Sequence, residues 1–381
     1  LQLDFTRRLL PRGACSCILY SMGVGYMDQE VELLAPAGDI AAFHAAVRGG
    51  ADLVLELPLA AALSSAEGFA RGAVALLHGI GCRYLSFGAE TADISLVQQA
   101  AEALNALPPA AGNRSGLSYA AYRQQELTAL NPAAAALLTS PNNTLGIEYC
   151  RALLRVGAAP ALFTIPRTGA AHDVTPENAG GYSASAIRHL LAEGRRADAL
   201  SRMVPAMRAV YEAEETAGRA PVFAAACERA ILARLRSMTP AEFDALDTGH
   251  EGVGQRLYNA SRNAATLDAV LDNAKTKRYA YARLRRMVLW AYLGLTPAKL
   301  PASVPYLRVL AANGTGRALL GRMRKTARLP VITKPAAIRS LFPDAQRLFE
   351  TESRAADLYA LAYPELTEAC GSLWRQNPVM P

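Results

Sequence analysis

The feature that most constrains the fold of this chain is a change of rhythm near residue 195. Before it, short apolar runs alternate with segments of helical period. Asp39–Val47 is patterned as a helix that Gly49 and Gly50 stop. Ala51–Leu57 (ADLVLEL) reads as a short buried strand ended by Pro58, Ser65–His78 as a helix, Arg83–Phe87 (RYLSF) as the next strand and Ile94–Leu107 as a helix. Pro108–Gly116 is a loop, Tyr119–Leu130 and Thr144–Val156 are helical, and Ala161–Ile165 (ALFTI) is another strand. Strands spaced by helices imply βαβ units, so the expected class is α/β with a mostly parallel sheet. Ligands of such sheets bind beyond the carboxyl ends of the strands, which points to the loops after Leu57, Phe87 and Ile165.

After Arg195 the pattern predicts helices over Ala197–Thr216, Val222–Ser237, Val253–Ala260, Thr266–Tyr292, Pro305–Ala312 and Asp344–Leu361, with one strand signal at Pro330–Thr333. A chain of 381 residues is too long for one compact core. The expected organisation is an α/β domain over residues 1–194 and a mainly α-helical domain over residues 195–381.

The bulk composition narrows the class further. Hydrophobic residues make up 51% and charged residues 19%, which excludes a disordered chain. No apolar run reaches the ~20 residues that a membrane helix needs. Ala14–Met22 follows three arginines but is too short for a secretory signal. The six cysteines form no C-x-x-C pair, so neither a disulfide framework nor a zinc site is expected, and a reducing cytoplasm is the expected setting. There the N-x-T match at Asn142–Thr144 is not a glycosylation site. The net charge of +7 leans weakly toward a polyanionic partner such as RNA.

Several segments have the makings of a site. Gly88, in Phe87-Gly88-Ala89-Glu90, follows a predicted strand and lets a ligand approach the backbone; taken alone, a plain strand-ending turn is the favoured account. In Ser140-Pro141-Asn142-Asn143, Asn142 or Asn143 can cap the following helix, or read a ribose or adenine edge through paired donor and acceptor. Capping needs one asparagine, and here there are two. Arg167 stands just past a strand end, where a guanidinium suits phosphate, although surface arginines are common in this chain. Ser183, Ser185 and Arg188 open a helix and together suit an anion; a serine cap with a solvated arginine is the alternative, and the combination fits a nucleotide triphosphate site better than the cap alone. Lys275–Arg286 (KTKRYAYARLRR) holds six basic residues, Lys275, Lys277, Arg278, Arg283, Arg285 and Arg286, with two tyrosines and no acid. Such a segment suits RNA through phosphate contact and base stacking, or else is a solvated helix face.

Taken together, these segments resemble the bacterial tRNA(Met) cytidine acetate ligase family. The resemblance is carried by Ala51–Pro58 (ADLVLELP), Ser65–Val74 (SAEGFARGAV), Phe87–Glu90 (FGAE), Pro141–Tyr149 (PNNTLGIEY), Ser183–Arg188 (SASAIR), Lys275–Arg286, Pro305–Leu307 (PYL) and Thr333–Lys334, in matching order across about residues 50–360. It implies a Rossmann-like nucleotidyltransferase domain followed by a helical domain that contributes to tRNA binding. It also implies a ligase that activates acetate as acetyl-adenylate with ATP and Mg2+, then acetylates N4 of the wobble cytidine of elongator tRNA(Met). The ATP site implied is Gly88, Asn142 or Asn143, and Arg167, with Lys275–Arg286 helping to hold tRNA.

One departure bears on chemistry. The family opens with a strand and a loop carrying H-x-G-H, which grips the ATP phosphates. The five histidines here are His44, His78, His172, His189 and His250, and no two stand three apart. The family's S-G-N-F-x-Q-R-G stretch is reduced to a trace at Met22–Glu30, and Gly23-x-Gly25 is too short for a dinucleotide fingerprint. A divergent or incomplete N-terminus is therefore expected. A homologue that binds RNA or nucleotide without chemistry is the alternative function.

Overall fold

The computed structural model describes residues 17–21, 46–107, 119–166, 184–246, 252–301, 303–366 and 369–380. In chain order its main elements are β1 (Cys17–Ser21), β2 (Leu53–Leu57), α1 (Ala66–Gly79), β3 (Tyr84–Ala89), α2 (Ile94–Ala106), α3 (Tyr119–Leu130), α4 (Pro132–Leu137), α5 (Pro141–Val156), β4 (Ala161–Pro166), α6 (Ala184–Ala192), α7 (Arg196–Ser201), α8 (Pro205–Thr216), α9 (Glu228–Ser237), α10 (Pro240–Asp244), α11 (Val253–Asn263), α12 (Leu267–Ala274), α13 (Tyr281–Leu293), β5 (Leu307–Ala312), α14 (Gly314–Thr326), β6 (Val331–Ile332) and α15 (Pro343–Ala360).

The class is α/β, with helix predominating. The described strands form two sheets rather than one. β1, β2, β5 and β6 make a mixed sheet in that order, and β3 and β4 make a parallel pair. β1 runs parallel to β2, and β5 runs antiparallel to β2, with Leu53 opposite Ala312.

β5 corrects the helix expected over Pro305–Ala312. All six of its residues are buried. A strand covered on both faces reads as a continuous apolar run, which periodicity cannot separate from a buried helix. The segment ends at Asn313, whose side chain caps α14 by accepting from the Gly316 N–H at 2.9 Å and also donates to Asp52 at 2.8 Å. Gly316 is required there, since a Cβ would lie 1.9 Å from the Asp52 carbonyl oxygen.

Two long predicted helices are each broken. Ala197–Thr216 divides at Pro205, which takes the first position of α8 behind an extended Val204. Thr266–Tyr292 divides into α12 and α13. Between them the Thr276 hydroxyl accepts from the N–H groups of Arg278 and Tyr279 at 3.2 and 3.1 Å, replacing helical hydrogen bonds.

The chain forms two compact units, each discontinuous in sequence. One is Leu1–Ala62, Thr168–Arg234 and Tyr292–Pro381; the other is Leu63–Arg167 and Leu235–Ala291. Both units draw on residues from either side of the 194/195 boundary. The first contains the mixed sheet. The second contains the parallel pair, covered by α1, α2 and α5. Its core joins Phe87, Val97, Leu104, Leu127 and Ile147. Polar groups brace it: buried Glu148 accepts from Arg123 at 2.7 Å and from Arg151 at 2.7 Å, and Arg151 also donates to Asn105 at 3.1 Å.

Candidate active site

The parallel pair sets the geometry. β3 and β4 run in register, with Gly88 opposite Ile165 and Ala89 opposite Pro166. Their carboxyl ends therefore lie side by side, as expected for a ligand site in a parallel sheet. α5 packs close to β3 because residue 146 is glycine. A Cβ there would sit 2.5 Å from the Phe87 ring. That approach places the N-terminus of α5, Pro141-Asn142-Asn143, beside the turn Gly88–Thr91.

The two turns are joined by five hydrogen bonds. The Glu90 carboxylate accepts from the Asn142 side-chain amide at 2.7 Å, the Asn142 N–H at 3.3 Å and the Asn143 N–H at 2.7 Å. In return the Asn143 Oδ1 accepts from the N–H groups of Glu90 at 2.9 Å and Thr91 at 3.0 Å. Ser140, at the N-cap position of α5, makes no side-chain capping bond, and neither asparagine caps the helix. Glu90 does so from 52 residues away, satisfying two of the free N–H groups that open every helix. Partial burial disfavours ionisation of Glu90. The Asn142 side chain and the Asn143 and Asn142 N–H groups outweigh it, so the carboxyl sits below its ordinary value.

The two asparagines have different surroundings. Asn143 is buried, at 4% exposure, and its carbonyl is engaged by the facing turn. Asn142 is half-buried, and only its amide nitrogen is engaged among the described residues. Gly88 and both asparagines thus come together at one strand end. Arg167 follows β4 directly, but it and Ser183 lie outside the described residues. Ser185 stands in the first turn of α6, and Arg188 is half-buried on that helix; both belong to the unit that contains the mixed sheet.

The basic segment is a turn followed by a helix. Lys275, Lys277 and Arg278 are exposed in the turn, whereas Arg283 and Arg286 are half-buried in α13. Arg285 is only 4% exposed, and its guanidinium lies 4.5 Å from the centre of the Tyr281 ring. Tyr279 is 7% exposed, with Arg278 and Arg283 each 5.8 Å from its ring centre. The rings are engaged by the chain's own arginines, of which Arg278 is exposed, and the exposed cations are those of the turn.

Residues 42–372 match the family described as HIGH Nucleotidyl Transferase. The tRNA(Met) cytidine acetate ligase of Acetivibrio thermocellus is 33% identical over 359 residues, covering 88% of this chain and 86% of the relative. The chain belongs to the tRNA(Met) cytidine acetate ligase family. The ligase of that name from Syntrophotalea carbinolica is 34% identical over 345 residues, covering 84% of this chain and 81% of the relative. The fold agrees with two crystal structures of Thermotoga maritima TmcAL, each 25% identical in sequence. The apo form superposes with a TM-score of 0.90 over 99% of this chain and 95% of that one. The form bound with alpha-thio ATP gives 0.87 over 100% and 95%.

Within this tRNA(Met) cytidine acetate ligase family member, Glu90 is the site residue that local sequence reasoning passed over. Its partners lie 52 and 53 residues away, and no local pattern marks it apart from a carboxylate directly after a strand-end glycine.

Proposed function

We propose that this chain is an ATP-dependent acetate–tRNA ligase. It forms acetyl-adenylate and then N4-acetylcytidine at the wobble position of elongator tRNA(Met). The reading rests on likeness to ligases of that name over most of the chain, together with the meeting of Gly88, Asn142 and Asn143 at the carboxyl ends of β3 and β4. The Thermotoga maritima TmcAL of like fold is bound with alpha-thio ATP, which supports ATP as the nucleotide. On this reading the parallel pair is part of a Rossmann-like nucleotidyltransferase fold, and the helical segments after residue 195 contribute to tRNA binding. The enzyme works in the cytoplasm. Gly88 lets the nucleotide approach the backbone, Asn142 reads a polar edge and Arg167 meets phosphate, while Ser183, Ser185 and Arg188 open a helix whose start suits an anion. Among the described residues no three His, Cys, Asp or Glu side chains group to hold a metal ion. Mg2+ is carried in by the ATP phosphates on this reading, its common mode of binding.

The missing H-x-G-H favours a second reading, a homologue that binds nucleotide or RNA without chemistry. Adenylate formation needs charge stabilisation at the α-phosphate as pyrophosphate leaves, which signature histidines would supply. Acetate-dependent ATP–pyrophosphate exchange, with N4-acetylcytidine formation on elongator tRNA(Met), separates the two. Exchange by this chain rules out the inactive homologue; ATP or tRNA binding without exchange rules out the ligase.

A further inference from the structure

We propose that Glu90 is a positioning residue that locks the Asn142 carboxamide with its oxygen outward, so that Asn142 meets the nucleotide as a hydrogen-bond acceptor. The inference builds on the ATP-site reading above.

An asparagine side chain offers a donor face and an acceptor face, and a half-turn exchanges them. At Asn142 that choice is made by its neighbour. Glu90 Oε1 lies 2.7 Å from the side-chain nitrogen. Turning the amide over would set its oxygen against a carboxylate oxygen, two acceptors with no proton between them. Glu90 is ionised across the neutral range, because its hydrogen bonds hold its carboxyl below the ordinary value. The carboxylate is itself fixed by the Asn142 and Asn143 N–H groups, and the return bonds from Asn143 fix the turn that carries it. No described residue donates to the Asn142 Oδ1. This oxygen belongs to a half-buried residue at the strand ends that the nucleotide reading assigns to ATP, and it is aimed by groups that cannot rearrange singly.

The complementary chemistry on ATP is a donor: the exocyclic amino group of adenine or a ribose hydroxyl. Asn143 is excluded from this role because its carbonyl already serves two N–H groups and it is buried.

Glu90→Gln isolates the effect. A glutamine has one acceptor oxygen where the carboxylate has two. If that oxygen serves Asn142, the Asn143 N–H faces an amide group; in the other orientation, Asn142 is driven to turn over. Binding of ATP, inosine triphosphate, 2′-deoxy-ATP and 3′-deoxy-ATP is measured by calorimetry for the parent chain, Glu90→Gln and Asn142→Ala, each first checked for folding by circular dichroism and thermal melting. Asn142→Ala is expected to weaken ATP about tenfold, the size of one lost hydrogen bond. The one analogue that lacks the donor should bind parent and variant alike. Glu90→Gln should reproduce both effects, because it acts through Asn142. Inosine triphosphate as the insensitive analogue identifies the adenine amino group; a deoxy analogue identifies the ribose. A purely structural Glu90 would weaken all four nucleotides equally, and that result overturns the proposal, as does unchanged ATP binding in Glu90→Gln. Should Glu90→Gln not fold, Asn142→Ala against the four nucleotides decides alone: equal loss for all, or no loss, overturns it. A parent that binds none of the four overturns the nucleotide reading, and the positioning role with it.

Discussion

Arg308 donates through Nη1 to both carboxylate oxygens of Glu56, at 2.9 Å each, although 252 residues separate the two in sequence. The pair ties β5 to β2, and its side chains are 4% and 1% exposed. Arg308 also donates to Gln376 at 2.6 Å, and its guanidinium lies 5.5 Å from the Phe349 ring centre. Removing one member strands the other as a buried charge. Arg308→Met is therefore expected to lower stability by about 3–5 kcal/mol in urea denaturation. Pairing it with Glu56→Leu should recover much of that, since the stranded charge goes too. A single variant as stable as the parent would count against the pair as a structural tie.

Glu352 adds a pH dependence to the same cluster. It is fully buried, accepts from the Tyr306 hydroxyl at 2.6 Å and the Leu59 N–H at 3.0 Å, and has its carboxyl pushed up to about 8. Burial is the main cause and the Glu56 charge the second, opposed by the two hydrogen bonds and by Arg308. Between the ordinary carboxylate range and about 8, the folded chain keeps a proton on Glu352 that the unfolded chain has released. Stability from this group therefore falls as pH rises through that window and levels off above it. Glu352→Gln keeps an acceptor for Leu59 and a polar partner for Tyr306 while removing the titration. Melting temperatures from pH 5 to 9 should fall less steeply for the variant, which should be the more stable chain at the alkaline end. Parallel curves for parent and variant would refute this.

How much was legible in the sequence depended on how local each signal was. β2, α1, β3, α2 and β4 were readable because apolar runs and their breakers lie within each segment. β5 was not: Leu307–Ala312 is covered on both faces, and its partner β2 lies some 250 residues away. The break between α12 and α13 turns on a single hydroxyl, Thr276, inside a stretch of good helix formers. At the site, Gly88 and the paired asparagines could be named, but not their division of labour. That division comes from Glu90, which reaches α5 only once β3 and α5 are packed together.

That packing rests on Gly146. A methyl group there would sit 2.5 Å from Phe87 Cε2, and Phe87 is itself buried, so neither side yields easily. Gly146→Ala should cost about 1–3 kcal/mol of stability as α5 is pushed from β3. The same displacement loosens the Asn142 turn, so ATP affinity should fall as well. Adding Phe87→Leu gives the methyl room and should restore part of both. Calorimetric ATP titration alongside thermal melting tests the coupling; stability lost with ATP affinity intact would separate the packing from the site.

The exposure of the basic segment predicts two distinct phenotypes. Lys275, Lys277 and Arg278 are exposed in the turn before α13, where phosphate can reach them. Replacing all three by alanine should weaken tRNA binding and flatten its salt dependence, lowering the slope of log K against log salt by about 2 if each meets one phosphate at ~0.7 per contact. The fold should be little affected. Arg285 is different, since its guanidinium lies against Tyr281 inside the unit. Arg285→Ala should lower the melting temperature and leave the salt slope near that of the parent. Filter binding of elongator tRNA(Met) over a salt series, with melting curves on the same samples, distinguishes the two. A triple variant with an unchanged salt slope would remove the turn from the RNA-binding surface.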